Sequence, residues 1–175
     1  MALALGAAMI QMAGGYSIGK KKYAAVEADL VAIVSRCEAI AARAVALAAE
    51  DATAYAGFAA AMKLPRKSPE EKVARRAALA EAAHAATAVP LELAELCAEV
   101  VVLGEQTCRI GNPNLVGDAA GGGSLARGAL RICQLNIAAN VGMIDDDAFV
   151  QDTEIRLEAA AKALRQADTT VDRQL

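Results

Sequence analysis

Residues 22–62 read KYAAVEADLVAIVSRCEAIAARAVALAAEDATAYAGFAAAM, a stretch without proline in which Gly57 is the one notable helix-weakening residue. Its apolar residues recur at steps of three and four: Val26, Leu30, Ile33, Val34, Cys37, Ile40 and Ala41. This spacing puts them on one face, which predicts a single long amphipathic α-helix. The helix is expected to end at Leu64 and Pro65, because the residue before a proline is pushed out of helical geometry.

The composition of the whole chain also favours helices. Apolar residues make up 56% of the 175 residues and aromatic residues only 3%, so the surplus is mostly alanine. Alanine has the best helix propensity, whereas strands need β-branched and aromatic residues. A chain of this length is the size of one domain. We therefore expect one domain over residues 1–175 with an all-α fold, an antiparallel array of about five or six helices.

Capping residues and prolines mark the remaining helices. Ser68, Pro69 and Glu71 form a capping box with proline at the first helical position. Pro90 is expected to begin a separate helix and Asp118 to cap the one after it. The expected helices cover residues 68–89, 90–111, 118–143 and 146–167, and the end of the chain, 168–175, is expected to fray.

The triplet Gly121–Gly123 falls in the first turn of a predicted helix. Each glycine there costs about 1 kcal/mol relative to alanine. Two interpretations follow from this cost. Either another backbone comes very close at this turn, or the turn is frayed.

Charge and composition exclude several partners and cofactors. With 18 basic and 21 acidic residues, a net charge of −3 and no basic tail, the chain is not expected to bind nucleic acid. One histidine and four cysteines without C-x-x-C spacing are too few ligands for a zinc site, so no metal is expected. The cysteines are expected to be free thiols of a cytoplasmic protein: Cys37, Cys97, Cys108 and Cys133.

The uncharged opening segment, Met1–Ile18, has the composition of either a membrane helix or a buried helix. Its basic cluster, residues 20–22, follows the apolar run instead of preceding it, which is the wrong order for a signal peptide. The segment is at the short limit for a membrane span and rich in alanine and glycine. We expect a buried helix and no membrane association, with a membrane anchor as the alternative.

Polar residues in apolar surroundings are the candidates for chemistry. Asp51 lies in the long predicted helix, with Tyr55 one turn later on the same face. It is either a surface residue or a cleft residue suited by burial to proton transfer. Asn136 and Asn140 share a helix face, where they either bond helix to helix or bind a planar ligand edge. The lysines at 20–22 either are solvated or bind a carboxylate-bearing tail.

Seven groups of motifs, in matching order and spacing over nearly the whole chain, resemble the formiminotransferase-cyclodeaminase/methenyltetrahydrofolate cyclohydrolase family. They are Ile18–Tyr23 with Val26–Leu30, Asp51–Tyr55, Met62–Pro65 with Pro69–Lys72, Val89–Leu91, Gly111–Asn114, Asp118–Ala119, and Asn136–Asn140 followed by Asp147–Phe149. Any one of them is a weak signal. Seven in register make an accidental likeness improbable.

The resemblance implies an all-helical homodimer that forms through apolar, alanine-rich helices and has its substrate cleft near the subunit boundary. It also implies a tetrahydrofolate derivative as substrate and no metal. Because Gly19–Tyr23 is similar to the stand-alone cyclohydrolases, we expect a methenyltetrahydrofolate cyclohydrolase, which uses water to make 10-formyltetrahydrofolate. The alternative is a formiminotetrahydrofolate cyclodeaminase, which closes the ring with loss of ammonia.

A third alternative is a folate-binding helical dimer without catalysis. The family's Gly-Gly-Gly-Ser segment lies a few residues before the first helix, and this sequence starts at Met1 inside or just after that point; Gly117 stands where serine is usual before Asp118. The resemblance associates the first of these positions with a ligand-binding loop.

The resemblance also implies roles for single residues. Both family reactions pass through a tetrahedral adduct beside a cationic amidine, so a group must move a proton there. Asp51 would be that carboxylate, in a dry crevice, and Asp118 a second carboxylate sharing the work. The residues implied for substrate binding, through the pterin edge or the glutamate tail, are Lys20, Lys21, Tyr55, Lys63, Asn112, Asn136 and Asn140.

Overall fold

A computed structural model describes residues 1–171, which form five α-helices and, within that range, no strand. The helices are α1 (Ala2–Gly15), α2 (Glu27–Met62), α3 (Pro69–Ile110), α4 (Val116–Val141) and α5 (Asp147–Val171). This confirms the predicted all-α array. The last helix runs past its predicted end, and residues 172–175 of the expected frayed end lie outside the described residues.

The central helix of the array is α3, which packs against α1, α2, α4 and α5. In addition, α1 packs against both α2 and α4. The main core is built from aliphatic side chains and thiols, including Leu3, Ile10, Ile33, Cys37, Ile40, Cys97, Val100 and Val101. Because the chain has no tryptophan and few aromatic residues, the helices must approach closely to fill this core.

The long predicted helix is confirmed as α2, but its predicted start at Lys22 is wrong. Residues Lys21–Val26 form a 3-10 turn, and the α-helix begins at Glu27. The reason lies just upstream, where Gly19 has a φ of +76° and its N–H donates to the Glu27 carboxylate at 3.2 Å. The helix ends at Met62, shortly before Pro65 as predicted.

The capping box that starts α3 is present, but the predicted break at Pro90 is wrong. The Ser68 hydroxyl accepts from the Glu71 N–H and the Glu71 carboxylate accepts from the Ser68 N–H, both at 3.1 Å. From there α3 continues through Pro90 to Ile110. Proline normally breaks a helix because it lacks an N–H. Here a side chain of α4 replaces the missing donor, as described below.

The start of α4 also differs from the prediction that Asp118 caps it. The helix begins at Val116, after a 3-10 turn that Asn112 caps by accepting from the Asn114 N–H at 3.1 Å. Asp118 instead lies in the first turn of α4. There its negative charge still interacts favourably with the helix dipole.

The glycine triplet of α4 is a site of close backbone approach. A Cβ atom on Gly122 would lie 2.5 Å from the Gly6 carbonyl oxygen and 2.9 Å from Cγ1 of Ile10. A Cβ on Gly6 would in turn lie 2.6 Å from the Gly122 carbonyl oxygen. Only glycine fits on both sides of this crossing, so the first interpretation of the triplet is correct.

The expected buried helix near the start of the chain, α1, is buried on one face only. Leu3, Ala7 and Ile10 lie in the core. On the other face, Leu5, Met12 and Tyr16 remain 57%, 44% and 58% exposed. Among the described residues, no helix combines the length and apolar character needed to cross a membrane.

Replacing Gly122 by alanine is expected to lower the free energy of unfolding by about 1–3 kcal/mol, because the added methyl group overpacks the α1–α4 crossing. Gly123→Ala is the matched control. A Cβ there meets nothing within 4 Å, so this variant should be more stable than the parent by about 0.5–1 kcal/mol. Urea denaturation measures both. Equal stability of the two variants would contradict the close approach.

Candidate active site

Two adjoining clefts lie where α2, α3 and α4 meet, and Asp51, Pro90 and Asn136 line both of them. One has a volume of about 250 Å³ and is also lined by Met1 and Leu3 at the start of α1. The other has a volume of about 310 Å³ and is also lined by Tyr55, Phe58, Ala86 and Asn140. We call the two together the Asp51 cleft.

Asp51 projects from α2 at the mouth of this cleft. Its side chain is exposed in the single chain, so the expected dry crevice is not formed by one copy alone. Tyr55, one turn later, is 71% exposed. Both sequence-based interpretations of Asp51 therefore hold in part, since it is a surface residue that also lines a cleft.

Asp51 differs from neighbouring carboxylates of α2 and α3 in having no ion pair among the described residues. Nearby carboxylates are held by arginine: Glu50 and Glu92 by Arg43, Glu95 by Arg156, and Glu99 by Arg36. Two hydrogen bonds from Arg43 lower the pKa of Glu92 below its usual value. The Asp51 carboxylate thus remains available to a cation that enters the cleft.

The two asparagines of α4 have different surroundings. Nδ2 of Asn140 donates to the Ala86 carbonyl oxygen of α3 at 2.9 Å. For Asn140 the helix-to-helix interpretation is therefore the one observed. Asn136 lines both parts of the Asp51 cleft, is exposed, and forms no hydrogen bond through its side chain within the described part of the chain. Its amide is free to meet a ligand.

The other predicted site residues lie far from Asp51 within one chain. The C-terminal end of α1 meets the start of α4, where Ala13, Cys108 and Ala119 pack together. This contact puts the segments that contain Lys20, Lys21, Asn112 and Asp118 at one end of the array. Because α1 is about 20 Å long and its first residues line the Asp51 cleft, about this length of helix separates the cleft from that end.

Lys63 is separated from Asp51 in the other direction. It is exposed and follows directly after the last residue of α2. Twelve residues of helix correspond to about 18 Å along the axis. One chain therefore gathers Asp51, Tyr55, Asn136 and Asn140, and leaves Lys63 at the far end of α2.

Sequence analysis missed two thiols in the cleft. Cys97 of α3 and Cys133 of α4 both line it, and both are free and buried. A hydrogen bond from the Cys97 thiol lowers the pKa of Cys133, while the same bond and burial raise the pKa of Cys97. The helical spacing from Pro90 to Cys97, two turns, and from Cys133 to Asn136, one turn, is the signal that could have revealed them.

A further cleft, of about 400 Å³, lies between α2 and α3 and contains Arg36 and Arg109. Both guanidinium groups are already paired, with Glu99 at 2.6 Å and with Glu105 at 3.3 Å. Across the described part of the chain, no three His, Cys, Asp or Glu side chains form a group that could hold a metal ion. The Asp51 cleft is therefore the strongest candidate site.

Comparison with known proteins identifies the family. A profile of the formiminotransferase-cyclodeaminase family matches residues 1–159. The chain belongs to this family. It is 37% identical, over 155 residues, to the methenyltetrahydrofolate cyclohydrolase of Methylorubrum extorquens, and the match covers 89% of this chain and 74% of that protein.

Longer members of the formiminotransferase-cyclodeaminase family match as well. The formimidoyltransferase-cyclodeaminase of Sus scrofa is 30% identical over 171 residues, which are 97% of this chain but 32% of that protein. The crystal structure of the formiminotetrahydrofolate cyclodeaminase from Thermotoga maritima superposes with a TM-score of 0.87, covering 99% of this chain and 83% of that one. At 23% sequence identity, this structural match establishes the shared fold.

Cys133 is expected to react with iodoacetamide faster than Cys37 at slightly alkaline pH. Burial raises the pKa of Cys37 to about 12, so little thiolate is present. The bond from Cys97 favours the thiolate of Cys133, which also lines an open cleft. Mass spectrometry of peptides taken at successive times measures both rates. In Cys133→Ser the fast label should disappear, and faster labelling of Cys37 would contradict the assignment.

Proposed function

We propose that this chain is a methenyltetrahydrofolate cyclohydrolase, which converts 5,10-methenyltetrahydrofolate and water to 10-formyltetrahydrofolate. The observation that carries the proposal is a cleft shared by Asp51 and Asn136, whose side chains have no ion pair or hydrogen bond within residues 1–171. The relative from Methylorubrum extorquens named as a cyclohydrolase favours this reaction. The relatives named as cyclodeaminases favour the alternative, release of ammonia from formiminotetrahydrofolate.

The proposed chemistry uses one carboxylate twice. The substrate carbon bridges two folate nitrogens and is cationic, so an ionised Asp51 attracts it. As the water oxygen bonds to this carbon, Asp51 takes a proton from the water and the tetrahedral adduct forms. Asp51 then returns that proton to N5 as the bond from carbon to N5 breaks, and the hydroxyl of the adduct loses its own proton to water to become the formyl carbonyl. The formyl group stays on N10.

The pterin ring system would lie along the part of the cleft that Tyr55 and Phe58 line. Aromatic side chains offer flat surfaces for stacking. The Asn136 amide provides both a donor and an acceptor for a planar ring edge. Since four cysteines are free and buried, we also assign the protein to a reducing compartment such as the cytoplasm.

An exposed carboxylate is a weak electrostatic catalyst because water screens its charge. A second copy of the chain would cover the cleft. The exposed face of α1 carries no charge and is formed by Leu5, Met12 and Tyr16, with Val45 of α2 and Ile132 of α4 also exposed, at 56% and 58%. Several exposed apolar side chains on neighbouring helices are typical of an interface. We propose that this surface is the homodimer contact.

Antiparallel packing of two α1 helices across a two-fold axis brings the end of one helix beside the start of the other. The start of α1 borders the Asp51 cleft. The second copy would then supply Lys20 and Lys21 for the glutamate tail of the substrate, and Asn112 and Asp118 beside the reacting carbon. Lys63, which directly follows the helix that carries Asp51, offers another cation for the tail.

Asp51→Asn is expected to lower kcat for 5,10-methenyltetrahydrofolate by about 10²- to 10⁴-fold, the usual contribution of a general acid–base group. Asparagine keeps the shape of the side chain and cannot take up the proton. Absorbance of the methenyl substrate follows the reaction, and a parallel assay offers formiminotetrahydrofolate.

The matched control is Glu50→Gln, which removes the neighbouring carboxylate of α2, already paired with Arg43. This variant should turn over at close to the parent rate. Binding of folate without turnover of either substrate by the parent protein would support the binding-module alternative. Equal rates for Asp51→Asn and the parent would contradict the role of Asp51.

Mixing two inactive variants, Asp51→Asn and Asp118→Asn, is expected to restore activity. In a mixed dimer one of the two sites receives Asp51 from one copy and Asp118 from the other, both intact. With random exchange of subunits, the activity should reach about a quarter of the parent value. Rate measurements on the mixture, taken after subunit exchange, test this.

The control for complementation introduces Leu5→Glu into both variants. A charge on the exposed face of α1 should give monomers by light scattering and abolish the recovery. If light scattering shows that Asp51→Asn and Asp118→Asn are already monomers without Leu5→Glu, this would contradict the homodimer. Dimers that recover no activity on mixing would mean that each site is complete within one chain.

A further inference from the structure

Pro90 leaves one carbonyl group of α3 without its helical partner. In an α-helix each carbonyl oxygen accepts from the N–H four residues later. For the Ala86 carbonyl that residue is number 90, a proline without an N–H. Because Pro90 is buried in the middle of the longest helix, the missing donor must be replaced for the helix to continue without a break.

Asn140 supplies the missing donor from a different helix. Its Nδ2 atom lies 2.9 Å from the Ala86 carbonyl oxygen. A carbonyl oxygen only accepts, which fixes the orientation of the Asn140 amide. One residue after Ala86, the Thr87 hydroxyl donates to the Ala83 carbonyl at 2.7 Å. Side chains thus donate to two carbonyls of α3, those of Ala83 and Ala86, within the two turns before the proline.

We propose that Asn140 is a positioning residue that holds the turn Ala86–Pro90 of α3, and does not itself contact the substrate. Pro90 lines both parts of the Asp51 cleft and Ala86 lines the larger part. The bond therefore fixes the cleft wall that faces Asp51. The effect on catalysis rests on the proposed function, whereas the hydrogen bond across α3 and α4 does not.

A double-mutant cycle tests the bond with four proteins: the parent, Asn140→Leu, Pro90→Ala, and the two changes combined. Leucine is close in size to asparagine and donates nothing. In the parent background, Asn140→Leu should raise the equilibrium constant of unfolding roughly 5- to 100-fold, as expected when a buried acceptor loses its donor. In Pro90→Ala the new N–H of residue 90 donates to the Ala86 carbonyl. In that background Asn140→Leu should raise the equilibrium constant of unfolding by less than about twofold.

Kinetics on the same four proteins distinguish positioning from direct contact. A displaced wall should lower kcat for Asn140→Leu by about tenfold or more while KM changes little, and this loss should shrink in the Pro90→Ala background. A side chain that touches the substrate would instead raise KM equally in both backgrounds. That result, or equal losses of stability in both backgrounds, would overturn the inference.

Asn136→Leu is the matched control, because Asn136 lies one turn earlier on α4 and lines the same cleft without bonding to α3. In both backgrounds Asn136→Leu should change the equilibrium constant of unfolding by less than about twofold. A coupling between Asn136 and Pro90 as large as that between Asn140 and Pro90 would also overturn the inference. Absence of turnover in the parent protein would count against the proposed function alone. The unfolding measurements need no substrate and would still test the hydrogen bond between Asn140 and Ala86.

Discussion

The crossing of α1 and α4 at Gly6 and Gly122 constrains the rest of the molecule. Each glycine faces the other's carbonyl oxygen at a distance that no Cβ atom could occupy. A chain without tryptophan cannot fill wide gaps between helices, so its core depends on such close approach. The crossing holds α1 against the array by one face, and that contact also brings the start of α1 to the border of the Asp51 cleft.

Local signals predicted the helices well wherever the deciding contacts are close in sequence. The period of apolar residues in α2 and the capping box at Ser68 each depend on residues about one helical turn apart. The prediction that a helix ends before Pro90 was wrong because the Ala86 carbonyl receives its hydrogen bond from Asn140, 54 residues away in sequence. Nothing near Pro90 in the sequence carries that information.

The same distinction applies to the site. Asp51 with Tyr55 and Asn136 with Asn140 could be paired from helical spacing, since each pair lies on one helix. That these two faces share a cleft is a tertiary property, and so is the distance of Lys20 and the segment around Asp118 from it. The family resemblance identified residues by motif, and motifs carry no information on which copy of the chain supplies each residue.

The pairing of charges on α2 and α3 supports the proposed role of Asp51 toward a cationic substrate. Arginines neutralise the neighbouring carboxylates, so the local surface offers little competing negative charge. A cation entering the cleft would then interact mainly with Asp51, which has no ion pair within residues 1–171. This interaction grows as water is excluded, because the effective dielectric constant falls. In the proposed dimer a second copy and the substrate would together close the cleft, which would reconcile the exposure of Asp51 in a single chain with chemistry at a cationic carbon.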